Sequence, residues 1–322
     1  NDLGCEIIAP VRNIQKAEKR LTDIGIPAKR KLPYPQNRLR LFQEDLCFDD
    51  FPECMYGKTG HVDYIIHCAS ATSSLQMITQ PVEVTKSIVD ATKNCLELAR
   101  RLTIKSMVYL SSMEVYGKGD CSDGHRTSEE EAGDGGVDLL SVRSCYPLGK
   151  RMAENLCYSY FQEYGVPVKI ARLAQTFGRD VPPSDNRVFS QFAHAVQAGE
   201  DIVLHTEGNS MGNYCGIDDA VSGILTILEK GENGEAYNVV NEENTMTIRQ
   251  MAQLTASQVA GGRIGIRFEI PADNHYGYAA DTGLKLSGEK LIRLGWKPEE
   301  NLTDMYQDLL RHMKSATCTG YL

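Results

Sequence analysis

Tyr146 and Lys150 stand four residues apart in Ser144-Cys-Tyr-Pro-Leu-Gly-Lys150, a spacing that puts both on one face of a helix. A phenol loses its proton near pH 10, so it acts as a base at neutral pH only with a cation close by. Lys150 supplies that cation from one turn away, and its ammonium can also anchor a cofactor ribose. Upstream, a strand-like run ends in Ser111, Ser112, Met113, Glu114, Val115 and Tyr116. Ser112, at that strand end, is suited to hold a substrate hydroxyl. Together the three residues spell a hydride-transfer site.

The elements that must position them follow from the apolar pattern. His61-Val-Asp63-Tyr-Ile65-Ile66-His67-Cys-Ala69-Ser70 is an apolar strand that breaks into small residues, as a backbone must where it closes on a dinucleotide. Ser106 to Gly117 repeats that layout. Glu6 to Val11 predicts an earlier strand, and Ile14, Ala17 and Leu21 predict the helix after it, over Asn13 to Ile24. Arg38 to Phe42 predicts another strand, ending in Glu44-Asp45-Leu46. Val84, Ile88, Cys95, Leu98 and Leu102 form one stripe, so Pro81 to Leu102 reads as an amphipathic helix. The helix bearing Tyr146 runs to Tyr164, with Pro147 tolerated in its first turn. Val166 to Leu173 is the strand after it. Lys118 to Val142 is rich in Gly, Asp, Ser and Glu and reads as a solvated acidic loop, with a lid over a substrate as the sharper alternative.

From Gln175 onward the elements shorten. Asp185 to Phe192 leads into a helix that ends at Gly199, and Arg187 is a candidate diphosphate ligand because its guanidinium fork matches phosphate oxygens. A surface salt bridge is its bland role. Ile202 to Leu204, Asn213 to Ile217 and Gly234 to Asn241 predict short strands, with Asp218-Asp219 in the next helix's N-cap region. In Leu291 to Pro298, Gly295 stops a helix and Trp296 packs. Gly261-Gly262 reads as a turn.

The chain has 322 residues, 42% of them hydrophobic, and a net charge of -9. That is long enough for a large core with a smaller appended lobe. The acidic balance argues against nucleic acid as a partner. No run of about 18 apolar residues predicts a membrane span, and no signal-peptide pattern opens the sequence, so the expectation is a cytoplasmic protein. The ten cysteines show no CxxC spacing, and Cys68, Cys95, Cys157 and Cys215 sit in contexts that suit reduced, buried thiols. His67, His194, His205 and His312 are too scattered to suggest a metal site.

Strand, small-residue turn, strand, Ser112, Tyr146 and Lys150, in this order, resemble the extended short-chain dehydrogenase/reductase family, in its NAD-dependent epimerase/dehydratase group, over nearly the whole chain. The resemblance implies an α/β fold: a Rossmann-type doubly wound parallel sheet with a smaller C-terminal substrate-binding lobe. It implies a cofactor domain over residues 1–174 and mainly a nucleotide-sugar lobe over 175–322. The strand at Glu6 matches the family's second strand, so roughly thirty residues, one strand-loop-helix unit with its Gly-rich loop, are expected to be absent from the start. The resemblance further implies cofactor contacts from Arg12, Asp45, Leu46, Cys68, Ala69, Ser70, Tyr146 and Lys150. Substrate contacts would come from Ser112, Met113, Gln175 and Arg187. It also implies a homodimer joined through a four-helix interface made by Pro81 to Leu102, the Tyr146 helix and their copies.

Arg143 to Glu154, and Glu114 two residues after Ser112, are closer to UDP-glucuronate decarboxylases than to galactose epimerases. Those enzymes oxidise C4 of the sugar, lose the C5 carboxylate as carbon dioxide and return the hydride. Glu114 then serves as a second-step acid or base. The 4,6-dehydratases look similar but carry an acid where this chain has Met113, and a thioether cannot protonate a leaving hydroxyl. Four positions depart from the decarboxylase pattern. Gln175 and Ser87 replace asparagines, Gly212 replaces an arginine that pairs with the diphosphate or uronate, and Arg12 replaces the acid that ends the second strand. Arg12 removes the repulsion of a 2'-phosphate, which makes NADP possible beside NAD. A nucleotide-sugar-binding protein without catalysis and a simple NADPH-dependent reductase are the alternative functions.

Overall fold

Strands β1 (Ile7–Val11) and β2 (Leu39–Gln43) pair in parallel, with Ile7 opposite Leu39 and Val11 opposite Gln43. Parallel partners need a crossover connection, and α1 (Ile14–Asp23) lies between them in the chain. Its start is capped by Asn13, whose Oδ1 accepts the Lys16 N–H at 2.8 Å. The computed structural model describes residues 5–23, 39–119, 124–133, 136–179, 181–182, 185–271 and 281–318. Ile24, the expected end of α1, falls outside them.

The chain divides into two compact units, the first comprising Asn1–Met107 and Leu140–Val168. After β2 it continues through α2 (Phe51–Thr59), β3 (Tyr64–His67), α3 (Ser74–Thr79) and α4 (Pro81–Leu102). Strand β4 (Ser106–Ser112) begins in this unit, and α5 (Cys145–Tyr164) returns to it. Helix α4 has Pro81 and Glu83 in its first turn and Arg100 and Arg101 in its last, so its charges complement the helix dipole at both ends. Buried Phe51, Met55 and Leu98 pack with Ile8, Phe42, Leu46 and Leu102, which seats the β1–β2 pair on α2 and α4. Helices α4 and α5 approach closely at Gly149, where an added Cβ would lie 3.2 Å from Ile88 Cδ1. Helix α5 ends at Gly165, whose φ of 69° is the left-handed cap that glycine adopts without a Cβ penalty.

The second unit comprises Val108–Leu139 and Lys169–Leu322. Strand β5 (Val168–Leu173) leads into β6 (Gln175–Phe177), α6 (Val188–Ala198), β7 (Ile202–Leu204), β8 (Met211–Gly212) and β9 (Tyr214–Gly216). Then come α7 (Ile217–Lys230), β10 (Ala236–Val239), β11 (Met246–Thr247), α8 (Ile248–Leu254) and β12 (Ile266–Phe268). Helices α9 (Glu289–Arg293) and α10 (Leu302–Cys318) close it. Strands β5 and β10, β6 and β9, and β7 and β12 pair in parallel, whereas β8 and β11 pair antiparallel. A four-stranded sheet has the order β10-β5-β4-β3. Parallel strands separated along the chain by helices make this a Rossmann-type, doubly wound α/β fold. Among the described residues no helix is long and apolar enough to cross a membrane.

Some local expectations are corrected. Glu129, in the segment expected to be solvated, is only 6% exposed. Its Oε1 accepts the Asn238 N–H at 2.7 Å and its carbonyl accepts Arg172 Nη1 at 2.7 Å. Tyr116 joins the same network, donating to Asn238 Oδ1 at 2.7 Å, because a buried strand edge must satisfy its polar groups. Cys95, Cys157 and Cys215 are buried, but Cys68 is exposed, since it follows β3 where the strand opens. Asp218 and Asp219 lie inside the first turn of α7, and Gly216 is its N-cap.

Candidate active site

Tyr146 and Lys150 occupy the first two turns of α5, 7% and 2% exposed. The ammonium lies 5.8 Å from the centroid of the tyrosine ring. Burial lowers the Lys150 pKa from 10.5 to about 8, against the opposing charge of Glu154. His67, at the end of β3, is held near 3, first by burial and then by the Lys150 charge, so its imidazole is neutral. His67 Nε2 lies 3.1 Å from Thr92 Oγ1, and that hydroxyl donates its own proton to the Ile88 carbonyl at 2.6 Å. The imidazole must therefore donate from Nε2.

Beside this group the first unit holds a cavity of about 230 Å³. Arg12, Asp45, Leu46, Cys68, Ala69 and Ser70, the six other residues expected to contact a cofactor, all line it. Cys68 lines the cavity, and the Lys150 charge acts on its thiol. Local hydrogen bonds shape the walls. Asp45 Oδ1 accepts the Cys47 N–H at 3.0 Å, an Asx turn. Asn94 Nδ2 donates to the carbonyls of Leu46 at 2.8 Å and Phe48 at 2.9 Å. Ser87 Oγ, also in the wall, accepts the Ala71 N–H at 3.3 Å and donates to the Val84 carbonyl at 2.8 Å. Sequence reasoning passed over Asn94 and Thr92. The signal was present: Asn94 sits on the buried stripe with Ala91, Cys95 and Leu98, and a polar side chain among apolar ones needs a specific partner.

Ser112, Met113, Glu114, Gln175 and Arg187 belong to the second unit. Ser112 Oγ accepts the Glu114 N–H at 3.2 Å and caps a short 3₁₀ turn over Met113–Tyr116. Met113 packs on the apolar core. Gln175 sits on β6 opposite Tyr214, its N–H donating to the Asn213 carbonyl at 2.9 Å. Arg187 is held by Asp185, Nη2 to Oδ2 at 2.6 Å, and lies 4.6 Å from the centroid of the Phe189 ring, so the bland salt bridge is what the structure contains. At Gly212 an added Cβ would clash with the Tyr214 hydroxyl and ring. That hydroxyl is buried with no hydrogen-bond partner among the described residues.

The profile of the NAD dependent epimerase/dehydratase family matches residues 6–241. UDP-glucuronic acid decarboxylase 1 of Danio rerio is 31% identical over 265 residues, which cover 81% of this chain and 60% of that protein. UDP-glucuronic acid decarboxylase 5 of Arabidopsis thaliana is 33% identical over 244 residues, 76% of this chain and 67% of that protein. The chain thus spans only 60% of the length of the Danio relative. Among solved structures, Pal from Bacillus thuringiensis aligns with a TM-score of 0.79 at 18% identity, covering 98% of this chain and 93% of that one. UDP-glucuronic acid 4-epimerase from Bacillus cereus, solved with UDP-glucuronic acid and NAD, aligns with a TM-score of 0.72 at 17% identity, covering 96% and 90%. The structural likeness carries the fold, the sequence match carries the ancestry, and this chain belongs to the NAD dependent epimerase/dehydratase family.

Proposed function

We propose that the protein modifies a nucleotide sugar with NAD through transient oxidation at C4, with decarboxylation of UDP-glucuronic acid as the specific reaction. One observation supports the reading: Cys68 lines the cavity, and the charge of the buried Lys150 acts on its thiol. The cavity is small against the roughly 300–1,000 Å³ of drug-sized ligand sites, so it suits one end of a dinucleotide. Its lining fits the adenosine end, with Asp45 and Arg12 offering a carboxylate and a guanidinium to the ribose and adenine edge. Bound nicotinamide supplies the acceptor, and later the donor, of one hydride, so the sugar shows no net oxidation.

In this reading Tyr146 takes the C4 hydroxyl proton, and the Lys150 ammonium holds the phenolate charge in a water-poor setting. Ser112 holds the same hydroxyl, and Glu114 serves as the second-step acid or base. With a ketone at C4, the C5 carboxylate is a β-keto acid. Its C–C bond breaks, carbon dioxide leaves, and the electron pair passes into the enolate before a proton returns to C5. Arg187 would have to exchange Asp185 for a diphosphate, and Gln175 would contribute an amide. The decarboxylase relatives support this choice over epimerisation. We also propose a homodimer through α4 and α5, whose exposed Val82, Met152 and Tyr158 suit burial against a second copy. Sedimentation as a monomer at micromolar concentration would remove the dimer.

A nucleotide-sugar-binding protein without turnover is the second reading, favoured by Gly212, where Tyr214 leaves no room for a charged side chain. The test is Tyr146→Phe in the protein as it exists in its source. Turnover of UDP-glucuronic acid to carbon dioxide should fall by roughly 10²–10⁴-fold while nucleotide-sugar affinity stays within about twofold. Turnover that survives the change would refute the assigned base.

A further inference from the structure

Glu154 takes no part in the chemistry assigned above, yet it is a carboxylate only 9% exposed on the inner face of α5, one turn beyond Lys150. Helical side chains lean toward the N-terminus. Glu154 therefore leans back over the turn that carries Lys150, and Lys150 over the turn that carries Tyr146. The row is tyrosine, ammonium, carboxylate. Burying an ammonium to 2% exposure is costly without a compensating charge.

Among the described residues, Glu154 is a carboxylate whose charge favours the Lys150 ammonium. From α5 the lysine faces Glu154, Cys157 and Tyr146, and from β3 and its end it faces His67 and Cys68. Behind Cys157 stands Cys95 of α4. Burial raises the thiols of Cys95 and Cys157, and that of Cys68 is raised because its sulfur is desolvated although the residue as a whole is exposed, so all three are neutral, as is His67. The Glu154 charge opposes the loss of the Lys150 proton.

We propose that Glu154 is a positioning residue, a buried counter-charge that keeps Lys150 cationic and directed at Tyr146. The inference rests on the Tyr146–Lys150 reading for its consequence in turnover, but its physical content is the charge state of one lysine.

The experiment is a direct titration of Lys150 by NMR of protein carrying ¹³Cε-lysine, the signal assigned by its loss in Lys150→Arg. It is performed on the natural protein, Glu154→Gln and Glu154→Asp, each checked for folding by thermal melting. In Glu154→Gln the Lys150 midpoint should move down by about one to three pH units, and Glu154→Asp should recover part of the fall. The same shift should then appear in kcat: its fall at alkaline pH, where Lys150 loses its proton, should move to lower pH by the same amount, with KM changed little. An unmoved midpoint in folded Glu154→Gln overturns the proposal. If that variant does not fold, an unmoved midpoint in Glu154→Asp does the same. A midpoint that moves while the pH profile of kcat does not supports the counter-charge and overturns the catalytic role of Lys150 instead.

Discussion

Asn94→Leu isolates the contact that shapes the turn at Leu46 and Phe48. Asn94 is 1% exposed, and leucine keeps nearly its volume while removing both donors to the carbonyls of Leu46 and Phe48. Each net hydrogen bond is worth about 0.5–1.5 kcal/mol. Leu46 is half-buried and Phe48 is exposed, so water can reach the freed Phe48 carbonyl and only the Leu46 carbonyl retains a desolvation cost. The sum is about 2 kcal/mol, which lowers the melting temperature by about 4–8 °C. Because Asp45 and Leu46 line the cavity, part of that ordering must be restored on binding, and NAD affinity should weaken by about tenfold, the equivalent of 1.4 kcal/mol. Differential scanning calorimetry and titration calorimetry with NAD measure both. A melting temperature within 1 °C of the natural protein, a threshold well below about 2 °C per kcal/mol, would refute the hydrogen-bond reasoning. A lowered melting temperature with unchanged NAD affinity would refute the link between this turn and the cofactor.

Lys150→Met should reveal proton linkage in the difference between natural and variant stability. The folded pKa, about 8, lies below the 10.5 of the free side chain. The burial cost is thus fully present below pH 8 and relieved as pH rises toward 10.5. The natural protein should gain on the variant by about 1.4 kcal/mol per pH unit in that window, and parallel urea-denaturation curves at pH 8 and 10 would contradict it. Glu129 gives the opposite case, its carboxyl held above the usual range by burial, so its contribution is present while protonated and lost as pH rises through that value. Glu129→Gln keeps an acceptor for the Asn238 N–H and should leave the pH 7 melting temperature equal or higher, whereas Glu129→Ala should cost about 1–3 kcal/mol. Arg12→Asp should weaken NADP binding by at least about tenfold through repulsion of the 2'-phosphate while sparing NAD, and equal losses for both would exclude a discriminating role.

What the sequence determined by itself was local. The stripe of α4, the first turn of α5 around Pro147 and the shift to small residues after β3 are encoded in near neighbours along the chain, so they were readable without coordinates. The same holds for the Tyr146–Lys150 pair, because helix geometry alone puts i and i+4 together. Arg12, Asp45, Leu46 and the residues 68–70 were legible as strand ends, and the fold gathers them around one cavity. Tertiary structure decided what depends on distant partners. Asn94 meets residues 48 and 46 positions away, and Glu129 meets one 109 positions away. No periodicity records these contacts, since a buried polar group declares only that it needs a partner, and packing chooses which. Glu154 shows the same division: its spacing from Lys150 is written in the chain, but only the tertiary structure shows that both side chains are buried.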